Sequence, residues 1–159
     1  MANNYGKKWE KKFAADFSKV PGSMVTRLFD ITNGYKSISN ISDFICYIYP
    51  YIYYLECKST QGNTFPLSRL TQKDDLAKTM GKQGVNAGVV LWFIDHYKVC
   101  YVSIEEILRL EALGAKSINV KMIGDSTYNV VEIPSEKRRL FVDCDFTILK
   151  DIADTKMGL

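Results

Sequence analysis

Asp43, Glu56 and Lys58 are the residues of this chain whose types and spacing point to chemistry. They lie in the stretch Ser42 to Thr60, SDFICYIYPYIYYLECKST, where two runs of β-branched and aromatic residues flank Pro50. Runs of that composition broken at a proline predict two strands joined by a tight turn. With the turn centred on Pro50 and Tyr51, Tyr49 faces Ile52, Ile45 faces Glu56 and Asp43 faces Lys58. Opposed residues share a face and successive residues alternate. Asp43, Glu56 and Lys58 therefore fall on one face, with Tyr51, Tyr53, Leu55 and Cys57 on the other. The diagonal from Asp43 to Glu56 spans about 7–8 Å between backbones, which two carboxylates bridge by converging on a divalent cation.

Phosphodiester cleavage is the chemistry this set suits. A divalent metal neutralises phosphoryl oxygens and activates a water, and two carboxylates hold it while leaving positions for water and phosphate. Lys58 would orient or help deprotonate the attacking water, or stabilise charge in the transition state. The peptide carbonyl of Cys57 would supply a further ligand. The alternative is an exposed ion-pair ladder, because Glu-x-Lys arises often by chance. Context favours the site: Ile52 to Leu55 is apolar enough to predict a central strand, and charges at the end of such a strand are seldom surface decoration.

Several classes fall away on composition. The chain has 159 residues and 47% hydrophobic content, which predicts one domain spanning 1–159 with a real core. No run of about 20 apolar residues exists to span a bilayer, so no membrane partner is expected. The basic, polar N-terminus lacks the pattern of a secretory signal. Cys46, Cys57, Cys100 and Cys144 form no CxxC pair and sit in apparent strands, which argues against a disulfide framework or zinc knuckle and for a reducing cytoplasm. His96 is the only histidine, in an apparent surface turn, so histidine-based triads and two-histidine zinc sites are excluded. No glycine cluster follows a strand in a phosphate-cradling order, so no nucleotide cofactor is expected. The net charge of +3 is too small to argue for nucleic acid by itself.

The elements that must position the acids can be read in order. Asn3 or Asn4 caps a helix to about Lys19, with Trp9, Phe13, Phe17 and Val20 as its apolar stripe. Lys7, Lys8, Lys11 and Lys12 make one flank positive, and Glu10, at the edge of the stripe, is placed to reach the sheet. Met24 to Asp30 predicts a strand carrying Arg27, followed by a polar connection, Thr32 to Asn40. Beyond the hairpin come a loop, Ser59 to Leu70, and a helix opened by a capping box at Thr71 and Asp74, with Gln72 in its first turn. Gly88 to Ile94 predicts a strand covered on both faces, and Lys98 to Val102 its returning partner. Ser103 and Glu106 open a helix that Gly114 stops. Ile118 to Ile123 and Tyr128 to Ile133 predict a second hairpin, Lys137-Arg138-Arg139 precede a strand over Leu140 to Phe146, and the last residues read as frayed. The hairpin tyrosines, Tyr47, Tyr49, Tyr51, Tyr53 and Tyr54, suit core or interface better than base stacking.

Asp43, the Glu56-Cys57-Lys58 triplet and the phrase LECKSTQGNTFPLSRL resemble the PD-(D/E)xK nuclease superfamily and, within it, the RecU-type Holliday-junction resolvases of Gram-positive bacteria and their phages. GKKWEKKF, RLFD and SDFICY are similar to the opening of the same family, so the resemblance runs from about Tyr5 to Leu108. It implies an α/β fold with a mixed central β-sheet flanked by helices, the restriction-endonuclease-like nuclease core. It also implies a homodimer, dependence on magnesium with manganese as substitute, and paired incisions in four-way DNA during recombination and repair. By position, Asp43 and Glu56 become metal ligands, Lys58 the catalytic lysine and Glu10 a further acid near the metal. Gln72 loosely matches a glutamine that some relatives carry after the Glu-x-Lys strand.

One departure concerns recognition. RecU proteins project a long stalk between the first strand and the aspartate, whereas here only residues 31–42 separate RLFD from Asp43, so the stalk is short or absent. The expectation is thus a magnesium-dependent, structure-selective endonuclease on branched double-stranded DNA. Lys7, Lys8, Lys11, Lys12, Arg27, Lys137, Arg138 and Arg139 would contact phosphates. The alternatives are another nuclease of the superfamily acting on linear or damaged DNA, and a non-catalytic dimeric DNA-binding module.

Overall fold

Asn4 caps the first helix, accepting from the Lys7 N–H at 3.3 Å, and α1 runs Tyr5–Phe17. Asn3 and Asp30, both named above, lie outside the residues that the computed structural model describes, which are 4–29, 31–33, 36–38 and 40–159. Trp9, Phe13, Phe17 and Val20 are all buried, as their helical spacing predicts. Strand β1 (Met24–Arg27) is shorter than expected, and the connection after it carries two paired strands, β2 (Ile31–Asn33) and β3 (Lys36–Ile38). Next come β4 (Phe44–Ile48), the ten-residue β5 (Tyr51–Thr60), β6 (Thr64–Pro66) and a short α2 (Lys73–Ala77). The chain continues through β7 (Val85–Phe93), β8 (Lys98–Ser103) and α3 (Ile104–Ala112). It ends in β9 (Ser117–Asn119), β10 (Val130–Glu132), β11 (Ser135–Lys137), β12 (Val142–Cys144) and α4 (Ile148–Met157).

Six strands form a mixed central sheet in the order β1-β4-β5-β7-β8-β10, with helices on both faces. Only the β5–β7 pair in it is parallel. β5 is central, as its composition predicts, and from Asn86 onward every residue of β7 is buried. Val90 and Trp92 point into a core shared with α1 and α4, whereas Val89, Leu91 and Phe93 point into a second core with Leu76 and Ile107. That two-sided cover is why the run is almost continuously apolar.

The hairpin register differs from the expected one. The turn is Tyr49-Pro50, so Ile48 faces Tyr51 and Phe44 faces Leu55. Continued by one pair, this sets Asp43 opposite Glu56 rather than Lys58. An even slip leaves every side chain on its expected face, so the grouping of Asp43, Glu56 and Lys58 survives.

Other expectations are corrected. Residues 59–70 are not a plain loop, because β5 continues to Thr60 and β6 pairs with β9 to bury Phe65 and Ile118. The predicted second hairpin is absent for the same reason: its first half is taken by β6 and its second, β10, pairs with β8. Gln72, not Thr71, stands at the cap of α2, and the Thr71 hydroxyl bonds the Gln72 amide oxygen. The strand expected over Leu140 to Phe146 shrinks to β12, which pairs with β11. The chain end is helical rather than frayed: Leu149 and Ala153 are buried, the Tyr53 hydroxyl donates to the Leu149 carbonyl, and Tyr51 bonds Asp154.

Candidate active site

β5 alternates, so Leu55 and Cys57 enter the core under α1 while Glu56 and Lys58 point to the opposite face. Asp43 lies one residue ahead of β4, where the ladder has not yet begun. Its N–H donates to Glu56 Oε2 at 3.0 Å, and Asp43 Oδ2 accepts from the Cys57 N–H at 2.9 Å. Two backbone donors at the start of the strand pair thus bind two carboxylates reciprocally. Lys58 Nζ sits 3.0 Å from Glu56 Oε1.

Arg27, at the end of β1, links this pair to the helix. Its guanidinium lies 3.1 Å from Asp43 Oδ1 and 2.9 Å from Glu10 Oε2, and it also donates to the Asp43 carbonyl. Glu10, Arg27 and Asp43 are thus joined by ion pairs, Glu56 and Lys58 by another, and the backbone N–H bonds between Asp43 and Glu56–Cys57 connect the two sets.

Glu56 is 1% exposed. Burial first, and then the charge of Asp43, push its carboxyl up to about 7 from 4.5, with Lys58 pulling the other way. Glu10 is raised in the same direction, by burial first and then by Asp43. Acids crowded in this way are relieved by a cation. Among the described residues no three His, Cys, Asp or Glu side chains gather as a ready-made cation cage. The side-chain donors at hand are the oxygens of Asp43 and Glu56, each with one partner and a lone pair to spare. An oxygen-only set that leaves coordination positions over suits a hard cation such as magnesium.

The expected DNA contacts divide. Lys7, Lys8 and Lys11 are exposed on α1, and none has an ion-pair partner among the described residues. Lys12 is held between Asp16 and Asp143, and Arg138 between Glu136 and Asp143, so both cations are already neutralised inside the protein. Lys137 lies 4.0 Å from the Tyr97 ring centroid, and Arg139 is exposed. Gln72 has no described contact with the acids, its amide being taken by Thr71. His96 is exposed and bonded to Asn63. Tyr51 and Tyr53 are core, whereas Tyr49 is 72% exposed at the turn.

Three residues escape the sequence reading. Asp16 is buried and accepts from the Cys144 N–H, fastening α1 to β12. Arg69 lies over the Phe65 ring and donates to the Ser59 carbonyl beside Lys58. Phe29 is exposed beside Arg27. Only the Asp-to-Lys spacing on α1 carried a local signal, an i,i+4 pair between Lys12 and Asp16.

No protein-family model matches the chain, and no curated protein matches its sequence. Among solved structures it is similar to Archaeoglobus fulgidus Hjc, a Holliday junction resolvase from an archaeal hyperthermophile. The TM-score is 0.55 at 18% identity, over 80% of this chain and 95% of that one. The mixed six-stranded sheet flanked by helices is therefore a fold that this chain shares with that structure. No helix among the described residues is long and apolar enough to cross a membrane.

Proposed function

We propose that this chain is a metal-dependent DNA endonuclease that hydrolyses phosphodiester bonds in branched double-stranded DNA, as a homodimer cutting opposed strands. The observation that carries the reading is the reciprocal Asp43–Glu56 pair with Lys58 at 3.0 Å, set in a resolvase-type fold. The narrower RecU-type assignment rests on the phrase LECKSTQGNTFPLSRL, while the similar solved structure is archaeal.

Asp43 and Glu56 would hold the cation, with the Cys57 carbonyl as a further oxygen. Magnesium, or manganese in its place, supplies neutralisation of phosphoryl charge and a lowered pKa for water. The chain's own residues do the rest. Lys58, fixed against Glu56, presents an ammonium to the phosphate and to the charge that develops in hydrolysis. Arg27 restrains Asp43 and Glu10, keeping the acids from turning to solvent. Lys7, Lys8, Lys11 and Arg139 would contact backbone phosphates without reading sequence.

A labelled four-way junction incubated with magnesium tests this. The native protein should make symmetric nicks, and Asp43→Ala and Lys58→Ala should bind the junction without cutting it. A native protein that cuts no DNA in magnesium or manganese overturns the enzymatic reading, and cutting of linear duplex equal to junction overturns the branched substrate.

A further inference from the structure

Phe29 stands outside both cores, 73% exposed, two residues past β1. Water contact with a phenyl ring of that extent is unfavourable. The ring nevertheless has one charged neighbour. The Arg27 guanidinium lies 5.5 Å from its centroid, and Arg27 also stacks on Phe44 at 5.3 Å while it is pinned by Glu10 and Asp43. One face of Phe29 thus rests on a cation whose position the acid pair determines, and the rest of the ring is open.

Beside it runs an open groove of about 450 Å³ between α1 and β1, lined chiefly by Lys7, Glu10, Lys11, Arg27, Phe29 and Phe44. Its walls are largely hydrocarbon, and its charged groups are three cations and one carboxylate, Glu10, which Arg27 already pairs at 2.9 Å. An aromatic platform next to lysines that have no acid partner is the arrangement that takes unpaired nucleotides: the base stacks on the ring and the backbone follows the charges. A fully paired duplex has its base faces covered and offers Phe29 nothing to stack on. An unpaired base, or one at a branch point where stacking is interrupted, does.

Resting on the nuclease reading above, we propose that Phe29 and this groove form a stacking subsite for an unpaired nucleobase of branched DNA, next to the phosphate engaged at Asp43 and Glu56. Arg27 is the shared wall: it touches the ring on one side and Asp43 on the other, so a base seated on Phe29 sets the phosphate that the acids face. The subsite supplies branch preference from the α1 flank of the chain, and needs no long projection between β1 and β4.

The test measures binding in the Lys58→Ala background, where no cutting is expected, to a four-way junction with 2-aminopurine at the branch and to a paired duplex of the same sequence. Phe29→Ala is expected to weaken junction binding about 5- to 150-fold, the range of one lost base stack. It should leave duplex binding within about twofold and abolish the 2-aminopurine quench; Phe29→Trp should retain both. The ring is exposed, so the variant is expected to fold, and its melting curve checks that. Equal loss on junction and duplex, or an unchanged quench in Phe29→Ala, overturns the subsite while native cutting keeps the nuclease reading. A fall in dimer fraction on sedimentation would instead make Phe29 a contact between copies and overturn it too. A native protein that neither cuts nor prefers junctions removes both together.

Discussion

Glutamine at position 56 keeps the shape of the side chain and removes its charge, which isolates the electrostatic strain at the acid pair. In the native protein burial and Asp43 raise the Glu56 carboxyl from 4.5 to about 7. The folded state therefore holds a proton that the unfolded chain releases more readily. The associated stability is complete below about pH 4.5 and is lost as pH rises through 7. At about 1.4 kcal/mol per pKa unit, the whole shift corresponds to at most roughly 3–4 kcal/mol, most of it lost between pH 5 and pH 8. With a urea dependence of roughly 1–3 kcal/mol per molar, the unfolding midpoint in EDTA should fall by roughly 1–2 M between pH 5 and pH 8. Glu10 is raised as well and adds to the same slope. The carboxyls that are lowered, Glu106, Asp125, Asp143, Asp145 and Asp154, lose their stabilising charge only below this window. Glu56→Gln should flatten most of the slope. Magnesium should restore the native midpoint at pH 8, and do less for the variant. If the native protein in EDTA is as stable at pH 8 as at pH 5, or if the slope survives in Glu56→Gln, then the crowding of these two acids is not what the geometry implies.

Two further expectations concern support of the site. A Cβ on Gly88, which pairs with Leu55 in the strand beside Glu56, would lie 2.4 Å from the Val102 carbonyl oxygen and 2.7 Å from the Tyr101 ring. The oxygen is backbone and cannot swing aside, so Gly88→Ala should cost about 1–3 kcal/mol in urea unfolding, and an unchanged midpoint would refute the close approach. Replacing Lys7 and Lys11 together by alanine should reduce the slope of log affinity against log salt by up to about 2, at unchanged melting temperature, and an unaltered slope would show that neither meets a phosphate.

What the sequence discloses follows the range over which each feature is determined. The apolar stripe of α1, the two-sided burial of β7 and the central place of β5 all arise from local periodicity, and all are found. The grouping of Asp43, Glu56 and Lys58 is legible although the register is not, because side-chain alternation is insensitive to a slip of one whole pair. Helix α4 is missed because Leu149 and Asp154 are held from afar, through the hydroxyls of Tyr53 and Tyr51 more than ninety residues earlier in the chain. The pairing of β6 with β9 is missed likewise: each strand is three residues long, and no local pattern tells such strands which partner to choose. Gln72 could be matched by position alone, and position does not supply a contact.

The basic flank of α1 shows how packing changes the meaning of a charge. Lys7, Lys8, Lys11 and Lys12 read as one face in the sequence, but the helix turns about 100° per residue, so neighbours in the chain face different surroundings. Lys12 faces β12, where Asp16 and Asp143 neutralise it. Asp16 has to be there, because its carboxylate also receives the otherwise buried Cys144 N–H, and a buried carboxylate in turn requires a cation. Lys7 and Lys11, one turn apart, line the opposite side with Glu10 between them, and that side opens on Arg27 and Asp43. The cations are thus sorted by what they meet. Lys12 fastens the helix to the sheet, which fixes where Glu10 stands, while Lys7 and Lys11 keep no acid partner among the described residues on the side where Arg27 joins Glu10 to Asp43. Charge reversal at Lys12 would consequently act through the position of the helix, and charge removal at Lys7 and Lys11 through the ligand alone.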